Sequence, residues 1–256
     1  MTRRGNLLLG WSLALLGIAA FTRLGIWQLD RMHEKTAMLA AVDAAVRSRT
    51  PVPLAQAAAA AHARDYHWSR GAGHFAPLPP VLLDNQSRNE RPGVRAYRVF
   101  VPDAGTPLLV ELGWLPVPGD RTMPAVPLPA NVTEVAGLLM PPPSPGLAKG
   151  VPVPICKGHA DPTCGRGGSP DALLTLALDP DTLATTLDLP TLAPRILKLD
   201  PAQPLPSAPA YARDLDILPN TLPPERHLGY AVQWFGLAAA VLVIALVLTF
   251  RTPRSP

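Results

Sequence analysis

From Leu228 to Phe250 the chain carries no charge and no proline, with Gln233 and Thr249 placed near the two ends of the run. At about 1.5 Å of helical rise per residue, such a run crosses a hydrocarbon core of about 30 Å. A second apolar run, Leu7–Phe21, lies near the N-terminus. It is shorter before it meets Arg23, but a long basic side chain near a helix end reaches back to the headgroups. Extension to Leu29 makes that span adequate as well. Two spans, one at each end of the sequence, return both helices to one face of the membrane. The C-terminal end of the first and the N-terminal end of the second therefore emerge together.

Short flanks set the orientation. Arg3 and Arg4 precede the first run, and Arg251 and Arg254 follow the second. Basic residues at both outer ends predict cytoplasmic termini. The expected order is a cytoplasmic N-terminus (1–6), a first span (7–29), a periplasmic domain (30–226), a second span (227–250) and a cytoplasmic tail (251–256). Arg3, Arg4 and the apolar run also fit a cleaved signal peptide, with small residues at Gly17-Ile18-Ala19-Ala20. Continuation of the pattern past Phe21 to Trp27 without a proline favours an anchor. No Arg-rich, Ser-rich presequence precedes the first span, and a bacterial inner membrane is the simplest setting.

Thirty-three prolines, nearly all between Pro51 and Pro224, exclude a mainly helical interior, since each removes a helix hydrogen bond. The net charge of +4 is spread along the chain and leaves no nucleic-acid footprint. Leu29, Met32, Leu39 and Val42 recur at near-helical spacing, so the first helix is expected to continue over 30–49 and to stop before Pro51 and Pro53. Ala55–Ala63 is alanine-rich and predicts a short second helix.

The stretch 66–140 reads as β-rich. Strands are expected at Tyr66–Phe75, Val81–Asn85, Ala96–Val101, Leu108–Leu112, Val132–Leu138 and, beyond it, Arg195–Leu199, with a hairpin turn at Asp103-Ala104-Gly105. Strands of this length suggest a mainly antiparallel barrel or sandwich between the two transmembrane helices. The Pro/Gly-rich segment 141–170 reads as a long loop.

Few residues offer chemistry. Cys156 and Cys164, eight positions apart, most simply form a disulfide in an oxidising compartment. A sharper reading adds His159 as a third ligand for a soft metal such as copper. There is no G-x-S-x-G elbow, no H-E-x-x-H and no glycine-rich phosphate loop. His62, His67 and His74 read as surface or strand residues, and Asp84, Glu90 and Glu111 as isolated charges serving solubility.

The membrane edge is different. On a helix His227, Tyr230, Ala231 and Trp234 share one face, with Gln233 beside them. Trp27 and Arg31 are four apart on the first helix, with Gln28 next to Trp27. An interfacial belt of Trp and Tyr accounts for much of this. It does not account for a glutamine and a possible ligand on the same side of both helices. The other reading is a haem site: His227 as axial ligand of the iron, the aromatic rings against the porphyrin, and Arg23 or Arg31 on the propionates. The N-terminal end of a helix dipole favours neutral His227 over its cation. No C-x-x-C-H motif is present, so such a haem would be held reversibly.

Three motifs then occur in order: Trp27-Gln28-x-x-Arg31-x-x-x-Lys35, Leu108–Pro116 ending in Gly113-Trp114-Leu115-Pro116, and His227-x-x-Tyr230-x-x-x-Trp234. Over almost its whole length the chain resembles the surfeit-locus family of cytochrome c oxidase assembly factors. The resemblance implies two membrane helices around a periplasmic domain and a non-catalytic role in inserting haem a into oxidase subunit I. It implies transient haem a binding at His227, with subunit I, the haem a synthesis machinery and membrane lipid as partners. Where that family carries Asn-Arg before Gly-Trp, this chain has Glu111 and Leu112, and the cysteine loop lies outside the pattern. Two other readings fit the layout of the spans. One is a scaffold that holds an oxidase subunit without haem, the other a chain-length regulator or sensor with a periplasmic loop.

Overall fold

In a computed structural model the described residues are 3–129, 131–144, 151–164, 170–205, 209–217 and 222–251. They form two units, one made of the chain's outer parts and one spanning 41–220.

The outer unit is helical. Helix α1 (Arg3–Ser48) contains no proline and meets its stop where the sequence supplies one. Arg49 takes a left-handed conformation (φ 45°) and donates its backbone N–H to the Ala45 carbonyl at 3.0 Å, and Pro51 follows. This is a left-handed C-terminal cap, here without glycine. Helix α3 (Pro224–Phe250) opens on Pro224, whose fixed φ suits the first helical position, with Glu225 in the first turn. Both helices are long and apolar enough to cross a membrane.

The two helices meet where side chains are small. A Cβ on Gly25 would lie 2.7 Å from the Phe235 ring, so the glycine is what lets that ring seat. The rings of Phe21 and Trp234 stack with centroids 5.7 Å apart. Toward the other end Trp11 Nε1 donates to Thr249 Oγ1 at 2.9 Å. That bond borders an apolar crevice of about 240 Å³ lined by Leu7, Ala14, Val241, Ile244 and Leu248.

The central unit is a mixed, mostly antiparallel sheet. In chain order its strands are β1 (Val52–Pro53), β2 (His67–Phe75), β3 (Val81–Arg88), β4 (Arg91–Pro102), β5 (Leu108–Pro116), β6 (Glu134–Met140), β7 (Val153–Cys156), β8 (His159–Ala160), β9 (Ala172–Thr175) and β10 (Ile196–Leu199). The spatial order is β1-β2-β6-β10-β5-β4-β3-β9-β7-β8, and β2 also pairs with β4. That extra pairing closes β2, β6, β10, β5 and β4 into a small barrel, with β3, β9, β7 and β8 as an extension. A register shift at Ala96/Tyr97 bends β4, which serves both parts.

Each face of the sheet has its own core. Val94, Ala96, Phe100, Leu108, Val110, Leu112, Val135 and Leu197 pack on one. Tyr97, Val99, Leu109, Leu138 and Ile196 pack on the other, covered by Val42 and by Leu183 and Leu187 around the short helix α2 (Pro180–Thr186). Asp179 caps α2, its carboxylate accepting the N–H groups of Asp181 and Thr182, with Pro180 at the first position.

Several sequence expectations need correction. Strands β3, β4 and β5 run further than expected, and β6 starts later. The alanine-rich stretch forms two short 3-10 turns, Leu54–Ala58 and Ala60–His62, rather than one helix. The hairpin β7–β8 sits within 141–170, of which 145–150 and 165–169 lie outside the described residues. Its turn places Lys157 and Gly158 at positive φ (54° and 80°), the combination a two-residue hairpin of the strand-twist hand requires. Glu111 is not a solubilising charge: it is buried in β5.

Candidate functional site

The motif residues of the two helices come together at one contact. His227, in the first turn of α3, places Nδ1 2.7 Å from Oε1 of Gln28 on α1, and both side chains are buried. The other ring nitrogen, Nε2, is buried and has no hydrogen-bond partner among the described residues. A buried polar atom without a partner is costly and uncommon. Ala231, one turn on, is buried in the same seam, and Trp234, half-buried, lies on Phe21.

The other predicted residues surround this contact without joining it. Trp27 and Tyr230 are exposed on the outer surface of their helices, as is Gln233. Arg31 lies 6.0 Å above the Trp27 ring and pairs with Glu34 at 2.8 Å. Lys35 Nζ donates to the Leu222 carbonyl at 2.5 Å, tying α1 to the chain that enters α3. Arg23 is exposed. The side chains of Arg3 and Arg4, and all of Arg254, lie outside the described residues.

The cysteines are joined: Cys156 and Cys164 form a disulfide with Cα atoms 6.2 Å apart, so neither offers a thiolate beside His159. Among the described residues no group of three or more His, Cys, Asp or Glu side chains is arranged to hold a metal ion.

A second polar cluster went unread in the sequence. Glu111 accepts from Arg95 Nη1, from Lys198 Nζ at 3.1 Å and from Tyr97 Oη at 3.1 Å. Lys198 also lies 3.3 Å from Asp214, which pairs with Arg88. Burial pushes the Glu111 carboxyl up, but Lys198 and Arg95 together outweigh it and hold the group below the ordinary glutamate range. Burial and Glu111 drive the Tyr97 phenol well above its usual value. Two further cations, Arg98 and Arg195, are buried on backbone carbonyls. Arg98 donates to Leu78 and Val126, and Arg195 to Asp65 and Leu139, with Arg195 Nη2 also 3.0 Å from His67 Nδ1. All of these groups but the partly exposed Arg88, Asp214 and His67 lie buried in the central unit. Their one legible signal is a charged residue inside a run as apolar as Leu108–Leu115.

Comparison with curated proteins finds no significant match. The family model described as the SURF1 family matches residues 15–239, from within α1 to within α3, and so takes in Gln28, Glu111, Gly113-Trp114 and His227. The chain therefore belongs to the SURF1 family, the surfeit-locus family of cytochrome c oxidase assembly factors.

Proposed function

We propose that this protein assists oxidase assembly by holding haem a reversibly at His227 and passing it toward subunit I. The family carries the coarser statement, a role in cytochrome oxidase assembly. The finer one rests on a single observation: the buried Nε2 of His227, with no partner among the described residues, at the contact where the family's first and last motifs meet. Imidazole nitrogen is a common axial ligand of haem iron, and the donor set here fits that chemistry. Trp234, stacked on Phe21 about two turns further along the same helix pair, supplies an aromatic face. Arg31 and Lys35 supply positive charge for propionates, Arg31 by exchanging its exposed partner Glu34, a pair worth little in water. Bound haem would supply redox-active iron as cargo, and the protein itself carries out no bond chemistry in this reading.

In this proposal the two apolar helices anchor the chain in a bacterial inner membrane with both termini cytoplasmic and the disulfide-bearing central unit in the periplasm. The disulfide agrees with an oxidising compartment. A periplasmic reporter inserted in 141–170 should be active, and the same reporter after Arg254 silent. The opposite pattern overturns the orientation.

The test of function is the haem content and absorption spectrum of protein purified from cells that make haem a. His227→Ala should remove or shift the Soret band while the protein stays in the membrane, since Leu228–Phe250 is untouched. Full haem content with an unchanged spectrum would exclude axial ligation and leave a scaffold that pairs its helices through Gln28 and His227.

A further inference from the structure

Gln28 is paired with His227 across the two helices, yet its side chain is buried and is itself no ligand for iron. We infer that Gln28 is a positioning residue: its amide oxygen takes the Nδ1 proton of His227 and so fixes the tautomer that leaves Nε2 as a bare lone pair.

An amide oxygen only accepts, so the 2.7 Å approach of Oε1 to Nδ1 requires the proton on Nδ1. With the proton on Nε2 instead, two lone pairs would face each other at that distance. Rotating the amide to relieve this would leave a buried N–H on Nε2 with no acceptor among the described residues. Buried donors without acceptors are the rarer and costlier defect in folded proteins. Protonating both nitrogens would leave the same buried N–H on Nε2 without an acceptor among the described residues. Of the three states of the ring, only the one with hydrogen on Nδ1 suits every neighbour.

The consequence reaches the ligand. A metal-binding imidazole is usually held by a bond from its other nitrogen to an acceptor that sets its tautomer and orientation and raises its basicity. Here a neutral amide takes that place where a carboxylate would give a stronger donor. A neutral acceptor gives a weaker iron bond, which suits a site that must release its cargo. The assignment of Gln28 to tautomer control concerns the protein alone. Its link to iron affinity rests on the haem reading above.

The experiment uses the full chain in lipid nanodiscs, labelled with 15N in the histidine rings, with His227→Ala identifying the signal among the six histidines. Wild-type protein should show His227 with hydrogen on Nδ1 and an unprotonated Nε2. Gln28→Leu, close in volume, should lose that preference, and Gln28→Glu, which keeps an acceptor, should restore it. Hydrogen on Nε2 in the wild type, or an unchanged signal in Gln28→Leu, overturns the inference without reference to haem. In a parallel titration with ferric haem a, Gln28→Leu should bind about 10–100-fold more weakly, and Gln28→Glu at least as tightly as wild type. If the tautomers shift as expected while His227→Ala titrates like wild type, the ligand reading fails. Gln28 then remains the residue that sets the ring.

Discussion

Replacing Glu111 should unfold the central unit more readily than any change to a surface charge. Glu111 is 4% exposed, and its partners Arg95 and Lys198 are 5% and 3% exposed, so none of the three has water to fall back on. In Glu111→Ala, Lys198 keeps Asp214 at 3.3 Å, whereas Arg95 loses its carboxylate. Leaving one buried charge uncompensated costs about 3–5 kcal/mol. For a unit of this size that lowers the midpoint by roughly 6–20 °C, at about 2–4 °C per kcal/mol. Replacing the group wholesale should cost far less. Glu111→Leu with Arg95→Met and Lys198→Met removes the buried charges together and leaves Asp214 its partner Arg88. The assay is thermal or guanidinium unfolding of the full chain in detergent, followed by near-ultraviolet dichroism. The pH dependence adds a sign. The folded Glu111 carboxyl titrates below its unfolded value, so its contribution is complete above the ordinary glutamate pKa near ~4.3 and is lost as pH falls through the folded value. The gap between wild type and Glu111→Gln should therefore hold from neutral pH to about 5, begin to shrink near the ordinary glutamate value, and close only once the pH has fallen below the folded value. A Glu111→Ala variant within about 1 kcal/mol of wild type would refute the claim that this carboxylate holds the barrel's charges.

Tyr211 offers the opposite case, because its hydroxyl is buried without a partner among the described residues and burial pushes its phenol to about 12. Tyr211→Phe should be neutral or stabilising by up to about 1 kcal/mol at pH 7. Wild type should lose stability relative to it as pH rises above about 10, where the unfolded phenol ionises and the folded one resists, and an unchanged difference at pH 11 would count against this. Gly25→Val should force the Phe235 ring away, loosen the helix pair and broaden the His227 ring signals, while the central unit melts as before. Gly137→Ala would drive a methyl into the Lys198 carbonyl in the β6–β10 ladder and should cost several degrees of midpoint or the fold itself. Replacing Cys156 and Cys164 with serine should remove about 2.5 kcal/mol of loop constraint. The effect should appear as proteolysis at the β7–β8 hairpin rather than as haem loss.

Much of the fold was legible because its signals are local. The apolar runs of α1 and α3, the stop at Arg49 before Pro51, and the strands bounded by turn residues each declare themselves within a few positions. What stayed hidden depends on partners far along the chain. Strand β9 pairs in parallel with β3 and antiparallel with β7, so nothing near Ala172–Thr175 announces it. Glu111 looked isolated because Lys198 lies 87 positions away. Both faces of β5 are covered, so the alternation that separates inside from outside is missing and a charged residue there has no obvious reading. Helix α2 did carry a signal, Asp179 before Pro180, but seven residues are too few to show a period. At the site, the motifs named His227 and Gln28, and helical spacing put Tyr230 on the same face as His227. Only packing could tell that Tyr230 points outward while Gln28 reaches across to the histidine.

The closing of β4 onto β2 has a consequence for how the protein behaves in company. A sheet of ten strands would ordinarily expose two long rows of unpaired amides, an invitation to self-assembly. In the described residues the row ends in β1 and β8, each of two residues, with Pro53 in the first and the disulfide-bonded hairpin behind the second. Strands so short offer a foreign chain almost nothing to zip against. A protein of an oxidase-assembly family gains from such edges, because exposed backbone would pair with any incompletely folded chain it met.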